Sequence, residues 1–141
     1  MGARHWTNDV ARRRILSVDT FEIEIVEERG ILRFTLRGPA SHAHLLRAVA
    51  TIAGETKSRG IWLVLCDVTT VTFPMESVFE RFEAGVELAR QADPRMKMAA
   101  VVRADLIDHV FENVARNRGA SVATFDNEVA ALQWLRGTVP E

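Results

Sequence analysis

The sequence predicts an α/β protein in which an antiparallel β-hairpin is followed by parallel strands with helical crossovers, in the order ββαβαβαβα. Three observations predict this class. Residues 20–37 alternate apolar and polar side chains on either side of a glycine, which is typical of a hairpin. Two later runs, residues 60–67 and 96–102, are apolar on both faces apart from Asp67 and Lys97, as buried parallel strands are. Segments of helical periodicity separate the strands, and strict alternation of strand and helix implies right-handed crossovers in one sheet.

The composition is that of an ordinary globular protein. The chain has 141 residues, of which 48% are hydrophobic and 26% charged, and its formal net charge is -1. A chain of this size can fold as one domain without metals or disulfides. We expect that domain to span residues 19–137 and to be followed by a short tail at 138–141. Residues 1–18 lack clear periodicity and are rich in arginine, so we interpret them as a flexible basic arm.

Charge and hydropathy limit the expected partners and location. The near-neutral net charge gives no electrostatic footprint for nucleic acid. No apolar run reaches the ~18 residues of a membrane span. The one cysteine, Cys66, lies inside an apolar run, where we expect an inert core thiol. These features together predict a cytoplasmic protein.

The hairpin pattern "FEIEIVEERGILRFTLRG" predicts a register. A turn at Glu28-Arg29-Gly30 uses the glycine for a positive φ. Matching apolar with apolar and polar with polar side chains then gives six cross-strand pairs. They are Ile25 with Leu32, Ile23 with Phe34, Phe21 with Leu36, Glu24 with Arg33, Glu22 with Thr35, and Thr20 with Arg37.

Four helices are predicted from apolar periodicity and capping residues. The first begins after Ser41, the second spans residues 75–92, the third begins at Asp105, and the last begins after Asp126 or Asn127. The predicted inward-facing residues are Leu46, Val49, Ala50 and Ala53 in the first helix and Val78, Phe79, Phe82, Val86 and Ala89 in the second.

A candidate site follows the central strand. Asp67 is predicted to end that strand, at the carboxyl edge where open α/β sheets place their sites. Hydroxyl side chains then line the route to the next helix, and with Asp67 they form a candidate loop or switch. They are Thr69, Thr70, Thr72 and Ser77. The alternative is that these side chains bond to loop backbone and cap the helix.

An acidic stripe is predicted on the second helix. Steps of four, three and four residues place four glutamates on one side of it, away from the phenylalanines. They are Glu76, Glu80, Glu83 and Glu87. The stripe is either a solvated face or a surface for a basic partner. It also makes Ser77 a poor expected phosphoacceptor, because a phosphate beside carboxylates is repelled.

Other features point away from metal, cofactor and enzyme chemistry. His42 and His44 are two residues apart, a spacing that turns their rings to different sides of a helix. No two glycines have the spacing of a GxGxxG or Walker loop. Cys66 with His109 and Asp67 is a poor nucleophile set, because desolvation favours the neutral thiol. We therefore expect no metal, no cofactor and no catalytic activity.

The element order and the segment after Asp67 resemble the STAS domain, the sulfate transporter and anti-anti-sigma domain, and in particular its SpoIIAA-like branch. The resemblance covers about Thr20 to Arg136. In that family a strand ends in aspartate, and a short loop leads to an Asp-Ser-Ser/Thr-Gly motif that a partner kinase phosphorylates. Here Asp67 matches the strand end and Ser77 is kept, but the rest of the motif is replaced by Met75, Glu76 and Val78. The resemblance implies a switchable protein-interaction module, and the changed motif argues against the phosphorylation switch.

Two functions from different classes follow, with an enzyme that uses Asp67 as a distant third. The leading hypothesis is a non-enzymatic STAS-like regulatory module that binds a protein partner, or a second copy of itself, near the candidate loop and acidic stripe. The alternative is a carrier for a small apolar, lipid-like ligand, as in the related Sec14-like branch. A cavity of several hundred Å³ between helices and sheet favours the carrier. A closed core with a flat exposed patch favours the interaction module.

Overall fold

The computed structural model describes residues 13–73, 78–107 and 109–137. Six strands, β1 to β6, span Arg14–Val18, Phe21–Glu28, Ile31–Pro39, Leu63–Thr72, Lys97–Val101 and Ser121–Phe125. Four α-helices, α1 to α4, span His42–Arg59, Val78–Gln91, Val110–Asn117 and Glu128–Arg136. A short 3-10 turn at Ala104–Leu106 lies between β5 and α3.

The six strands form one sheet in the order β1-β2-β3-β4-β5-β6. The first two pairings are antiparallel and the next three are parallel, which confirms the predicted fold class and the central position of β4. Each parallel strand is added on the same side of the one before. Because such crossovers are right-handed, α1, α2 and α3 all lie on one face of the sheet. α4 packs on the opposite face.

The prediction of a flexible arm over residues 1–18 is wrong for its last five residues. Arg14–Val18 form β1, which pairs with β2 and places Leu16 opposite Ile23. Leu16 packs against the core, whereas Ile15 is largely exposed. An edge strand with little buried surface has little hydrophobic pattern, so its sequence does not reveal it. Residues 1–12 and the predicted tail at 138–141 lie outside the described residues.

The predicted hairpin register is also wrong, by two residues. Ile23 lies opposite Leu36 and Ile25 opposite Phe34, while Glu24 faces Thr35 rather than Arg33. The turn is shorter than predicted, because only Arg29 and Gly30 lie outside the strands, with φ of 53° and 79°. Two successive positive φ angles are typical of the type I′ turn, whose twist matches that of the strands. A shift of two keeps every side chain on its predicted face.

Helix α1 begins and ends at the residues its sequence suggests. The Ser41 side chain accepts a hydrogen bond from the His44 amide, and Gly60 in the left-handed conformation ends the helix. The inward face differs from the prediction, because Ala50 is exposed and Leu46 only half-buried. The buried residues are Ala48, Val49, Ile52, Ala53 and Thr56. The apolar stripe is wide enough that periodicity alone does not show its centre.

Helices α2 and α3 depart further from the prediction. In α2, Ala84 and Leu88 are buried, whereas Phe82 is 41% exposed and does not face the core. The side chains of Val78 and Phe79 lie outside the described part of the structure. α3 begins at Val110 rather than at Asp105, which lies in the preceding 3-10 turn and binds Arg103. α4 begins after Asn127, whose side chain accepts a hydrogen bond from the Ala130 amide.

The sheet separates two apolar clusters. The larger one lies between the sheet and α1 to α3 and includes Phe34, Val64 and Leu88. The smaller one lies between the sheet and α4 and includes Leu65, Ala99 and Leu135. Within the described residues, no helix is both long and apolar enough to cross a membrane.

Candidate functional site

Asp67 does not end its strand, contrary to the prediction. β4 continues to Thr72 because its pairing with β3 persists after its pairing with β5 stops at Asp67 and Val101. Asp67 Oδ1 accepts hydrogen bonds from the Thr69 amide at 2.9 Å and the Thr69 hydroxyl at 2.7 Å. The Thr70 hydroxyl donates to the Leu36 carbonyl at 3.1 Å. These groups therefore support an extended strand rather than line a loop.

The acidic stripe is partly used inside the molecule. Glu83 Oε1 lies 2.8 Å from His42 Nε2, which links α2 to the start of α1. Glu87 accepts hydrogen bonds from Arg90 and Gln91, and the bond from Arg90 lowers the pKa of Glu87. Glu80 is half-buried. Glu76 and the candidate switch residue Ser77 lie outside the described residues.

The histidines of α1 hold local structure. His44 Nδ1 accepts a hydrogen bond from the Ser41 amide, and its ring stacks on Phe21 at 5.0 Å between centroids. His44 Nε2 lies 3.3 Å from Asp19, whereas His42 contacts Glu83. In the part of the chain that the structure describes, no three His, Cys, Asp or Glu side chains come together as a metal site.

A cavity of about 420 Å³ lies between the sheet and helices α1 to α3. Strands β3 to β6 form its floor, with Leu36, Cys66, Ala100 and Thr124 among the residues that face it. Helices α1 and α2 form much of the roof, where Ala48, Ile52, Ala84 and Leu88 point inward. The walls are mainly apolar, so this space suits an apolar occupant.

Small side chains explain why this space is left open. Ala48, Ala84 and Ala100 face the cavity from α1, α2 and β5. A larger apolar residue at any of them would occupy part of the volume. Gly85, beside Ala84, lets α2 approach α3 closely, since a Cβ there would lie 2.8 Å from the Phe111 carbonyl oxygen. The helices therefore meet each other while the layer beneath them stays incompletely filled.

The cavity opens toward the carboxyl ends of the parallel strands. Phe73 follows β4, and Val102 and Leu106 follow β5, and all three line it. Leu106 is 41% exposed, as expected for a residue at a mouth. This is the edge at which open α/β sheets place their sites. The cavity thus opens at the edge where the sequence predicts a site, but Asp67, Thr69, Thr70 and Thr72 do not line it.

Two acidic residues in the lining are held by basic groups. Asp105 accepts hydrogen bonds from Arg103, with 2.8 Å between Nη2 and Oδ2, and these bonds lower the pKa of Asp105. Glu112 accepts from the Thr124 amide at 2.9 Å and from Arg116 at 3.2 Å. Burial raises the pKa of Glu112, but its hydrogen bonds outweigh that effect and the net shift is downward. Both carboxylates are therefore ionised and paired at neutral pH.

Cys66 is buried in the cavity floor. Burial and, to a smaller extent, the nearby charge of Asp67 raise the pKa of its thiol to about 12. A thiol with such a pKa is neutral and a weak nucleophile at neutral pH. The prediction that Cys66 lies in the core is confirmed. His109 also lines the cavity, and its Nδ1 lies 3.1 Å from Glu112 Oε1.

Sequence reasoning missed most of the cavity residues. Ala48, Ala84 and Ala100 look like ordinary core alanines, and only their convergence from three elements makes a space. Glu112 offered a usable signal, because an acid among the apolar residues of a short helix must find partners when it is buried. Those partners, Thr124 and Arg116, could not be identified from sequence spacing alone.

Comparisons with known proteins agree on the fold. The chain matches no protein-family model and no curated protein. Its structure is similar to an anti-sigma factor antagonist from Mycobacterium paratuberculosis, with a TM-score of 0.59 and 13% identity over 86% of this chain and 99% of that one. It is also similar to an uncharacterized protein of the DUF3478 family with a SpoIIAA-like fold from Shewanella loihica PV-4. That TM-score is 0.51, with 16% identity over 85% of this chain and 98% of the other. The chain therefore has the SpoIIAA-like fold that the resemblance implied.

Proposed function

We propose that this chain is a non-enzymatic binding domain that holds a small apolar molecule between its sheet and helices α1 to α3. The observation that carries the proposal is the cavity of about 420 Å³ with its mainly apolar lining. That volume lies within the range of roughly 300–1,000 Å³ typical of small-molecule sites. A cavity of this kind is the feature that separates a carrier from a module with a closed core.

The energetics of the cavity support an occupant. Side chains that border an empty space lose the dispersion contacts of a packed core. A ligand that fills the space restores those contacts and removes its own apolar surface from water. Leu88, Ile52 and Met98 would contact such a ligand. Binding only to the folded state would also raise the melting temperature.

The polar groups in the lining support binding rather than catalysis. The Cys66 thiol is protonated at neutral pH. Asp105 and Glu112 carry lowered pKa values and are held by arginines, so neither is suited to take up a proton near pH 7. Asp67 is engaged with Thr69. These observations favour a non-enzymatic role.

Native mass spectrometry of the purified protein is the direct test. We expect a fraction of the molecules to carry a bound small molecule, and we expect a polarity-sensitive apolar dye to bind after that molecule is extracted. Ala100→Leu should weaken dye binding about tenfold or more, because it places a larger side chain in the cavity. Ala50→Leu, at an exposed position on the outside of α1, is the matched control. Absence of both a bound molecule and dye binding would overturn the proposal.

Binding of a protein partner is the second candidate function. It is favoured by the similarity to a protein whose name describes it as an anti-sigma factor antagonist. The surface would be the candidate loop and the acidic stripe, near Phe82, which is exposed and has Arg118 5.5 Å from its ring centre. The partner would be another protein or a second copy of this chain, in the cytoplasm.

The double variant Glu80→Lys with Glu83→Lys tests that second candidate. It should weaken association with a partner, or self-association measured by sedimentation. Because Glu83 also contacts His42, the matched control is His42→Ala, which removes the contact and keeps the acidic surface. If the double variant and the control behave alike, the acidic stripe is not a binding surface.

A further inference from the structure

We infer that the cavity selects an uncharged ligand, such as a long-chain alcohol, ester or hydrocarbon, over fatty acids and amines of the same length. This inference rests on the proposed function and narrows it to a chemical class. It comes from the state of the charged groups in the lining rather than from the volume of the cavity.

Few side chains in the described lining can carry a charge. They are Cys66, Arg81, Asp105, His109 and Glu112. The other lining residues are apolar, apart from Thr124. A charged group on a ligand would therefore have to find its counter-charge within this small set.

Each ionised member of the set already has a partner within the protein. Arg103 binds both oxygens of Asp105, at 2.8 and 3.2 Å. Glu112 Oε1 lies close to the Thr124 amide and to His109, and its Oε2 accepts from Arg116. Arg81 also interacts within the protein.

Cys66 supplies no charge either. It is buried in the floor as a neutral thiol, so it can neither attract a ligand cation nor replace the hydration of a ligand anion. The deep walls near it consist of Ala48, Leu88 and similar apolar side chains. The deeper a ligand's charged group enters, the fewer polar groups surround it.

Charged ligands are therefore penalised in both directions. A carboxylate at the mouth would face the negative charges of Asp105 and Glu112, and Arg81, the guanidinium in the lining, already interacts within the protein. An ammonium group at either carboxylate would share it with Arg103 or Arg116 and would be repelled by that cation. An alcohol keeps the full apolar contact and can donate one hydrogen bond to a spare lone pair of a carboxylate, and an ester or hydrocarbon has no donor to satisfy.

The test compares three ligands with the same ten-carbon chain: decanol, decanoate and decylammonium. Their affinities for the ligand-free protein are measured at pH 7 by competition with the polarity-sensitive dye. We expect decanol to bind about tenfold or more tightly than either ion, because an unpaired buried charge is costly. Equal or tighter binding of either ion would overturn the inference while leaving the proposed function intact. If none of the three binds, the proposed function itself fails and this inference with it.

A matched pair of variants tests the physical cause. Arg103→Gln removes the cation that holds Asp105 and should raise decylammonium affinity about threefold, with decanol binding unchanged. Arg95→Gln is the control, because Arg95 makes the same type of pair with Asp93 and does not line the cavity. If Arg103→Gln leaves decylammonium affinity the same as Arg95→Gln does, the ion pair at Asp105 does not set the selectivity.

Discussion

The two faces of the sheet are built differently. Adjacent residues on β5 show the contrast, because Ala99 packs in the α4 cluster whereas Ala100 lines the cavity under α1 to α3. One helix covers the α4 face with a small cluster that includes Leu65 and Leu135. Three helices cover the other face, yet a cavity of about 420 Å³ remains beneath them. The face with more covering elements is thus the one that leaves space.

The strands of the sheet also place ion-paired side chains on the α4 face. Arg33 forms a two-bond pair with Glu128 of α4, at 2.6 and 2.9 Å. Farther along the sheet, Glu24 of β2 binds Arg37 of β3 and Arg13, the residue before β1. The topology explains this, because all three crossovers place their helices on the other face. Under the proposed function, the three-helix face is the side that holds the ligand, and the α4 face is the filled side of the sheet.

The largest expected effect comes from removing a leucine on each face. Leu65 is fully buried in the α4 cluster, and Leu65→Ala should cost about 2–5 kcal/mol in a denaturant melt. Leu88 is equally buried but borders the cavity, so Leu88→Ala should cost at least about 1 kcal/mol less, since it loses fewer contacts. A loss below about 1 kcal/mol at Leu65 would contradict its central place. A larger loss at Leu88 than at Leu65 would contradict the difference between the faces.

Replacing Ala99 or Ala100 by leucine tests the same difference by adding volume to each face instead of removing it. Ala99→Leu adds volume to a filled cluster and should cost about 1–3 kcal/mol. Ala100→Leu projects into the cavity and should cost less than about 1 kcal/mol. Thermal and urea melts of the two variants provide the measurement. Equal destabilisation by both variants would mean that the cavity is not open to a larger side chain.

Acid should weaken the protein through carboxylates on both faces. The pKa of Glu24 is lowered by its bond with Arg37, that of Glu128 by its bond with Arg33, and that of Glu112 by bonds that outweigh burial. Groups with a lowered folded pKa stabilise the protein above their ordinary value, here 4.5, and lose that contribution as pH falls through the folded pKa. The urea midpoint should therefore be nearly constant above about pH 5.5 and fall below about pH 4.5.

Glu24→Gln isolates the contribution of one of these carboxylates to the loss of stability in acid. It should reduce the acid-dependent part of the stability, because the variant no longer gains a proton on unfolding at low pH. Glu28→Gln, at an exposed position of the same strand, serves as the control. An unchanged acid response in Glu24→Gln would mean that its ion pairs contribute nothing to stability.

The smallest expected effect concerns Ser77. Its spacing from Glu76 and Glu80 places acidic residues nearby, and a phosphate would add about -1.5 to -2 charges beside them. Phosphoproteomics of the native organism should therefore find Ser77 unmodified or modified only at low occupancy. Heavy phosphorylation would show that Ser77 acts as a switch in spite of the altered motif.

Local patterns in the sequence determined the order of strands and helices and the residues at which two of the helices begin. The alternation of strands and helices predicted the sheet and its parallel half, because an apolar run or a helical stripe must bury its apolar side. Ser41 and Asn127 were identified as helix starts because capping depends on neighbouring residues only. The burial of Cys66 also followed from the apolar run around it.

Only the tertiary structure decided the rest. A period of two cannot distinguish hairpin registers that differ by two residues, so the turn at Arg29 and Gly30 set the pairing. β1 forms by pairing with the edge of β2, and its own sequence has no apolar and polar alternation that would predict a strand. The cavity depends on Ala48, Ala84 and Ala100, which face one another from three separate elements. Because these elements are far apart in the sequence, no local pattern predicts that the three alanines come together.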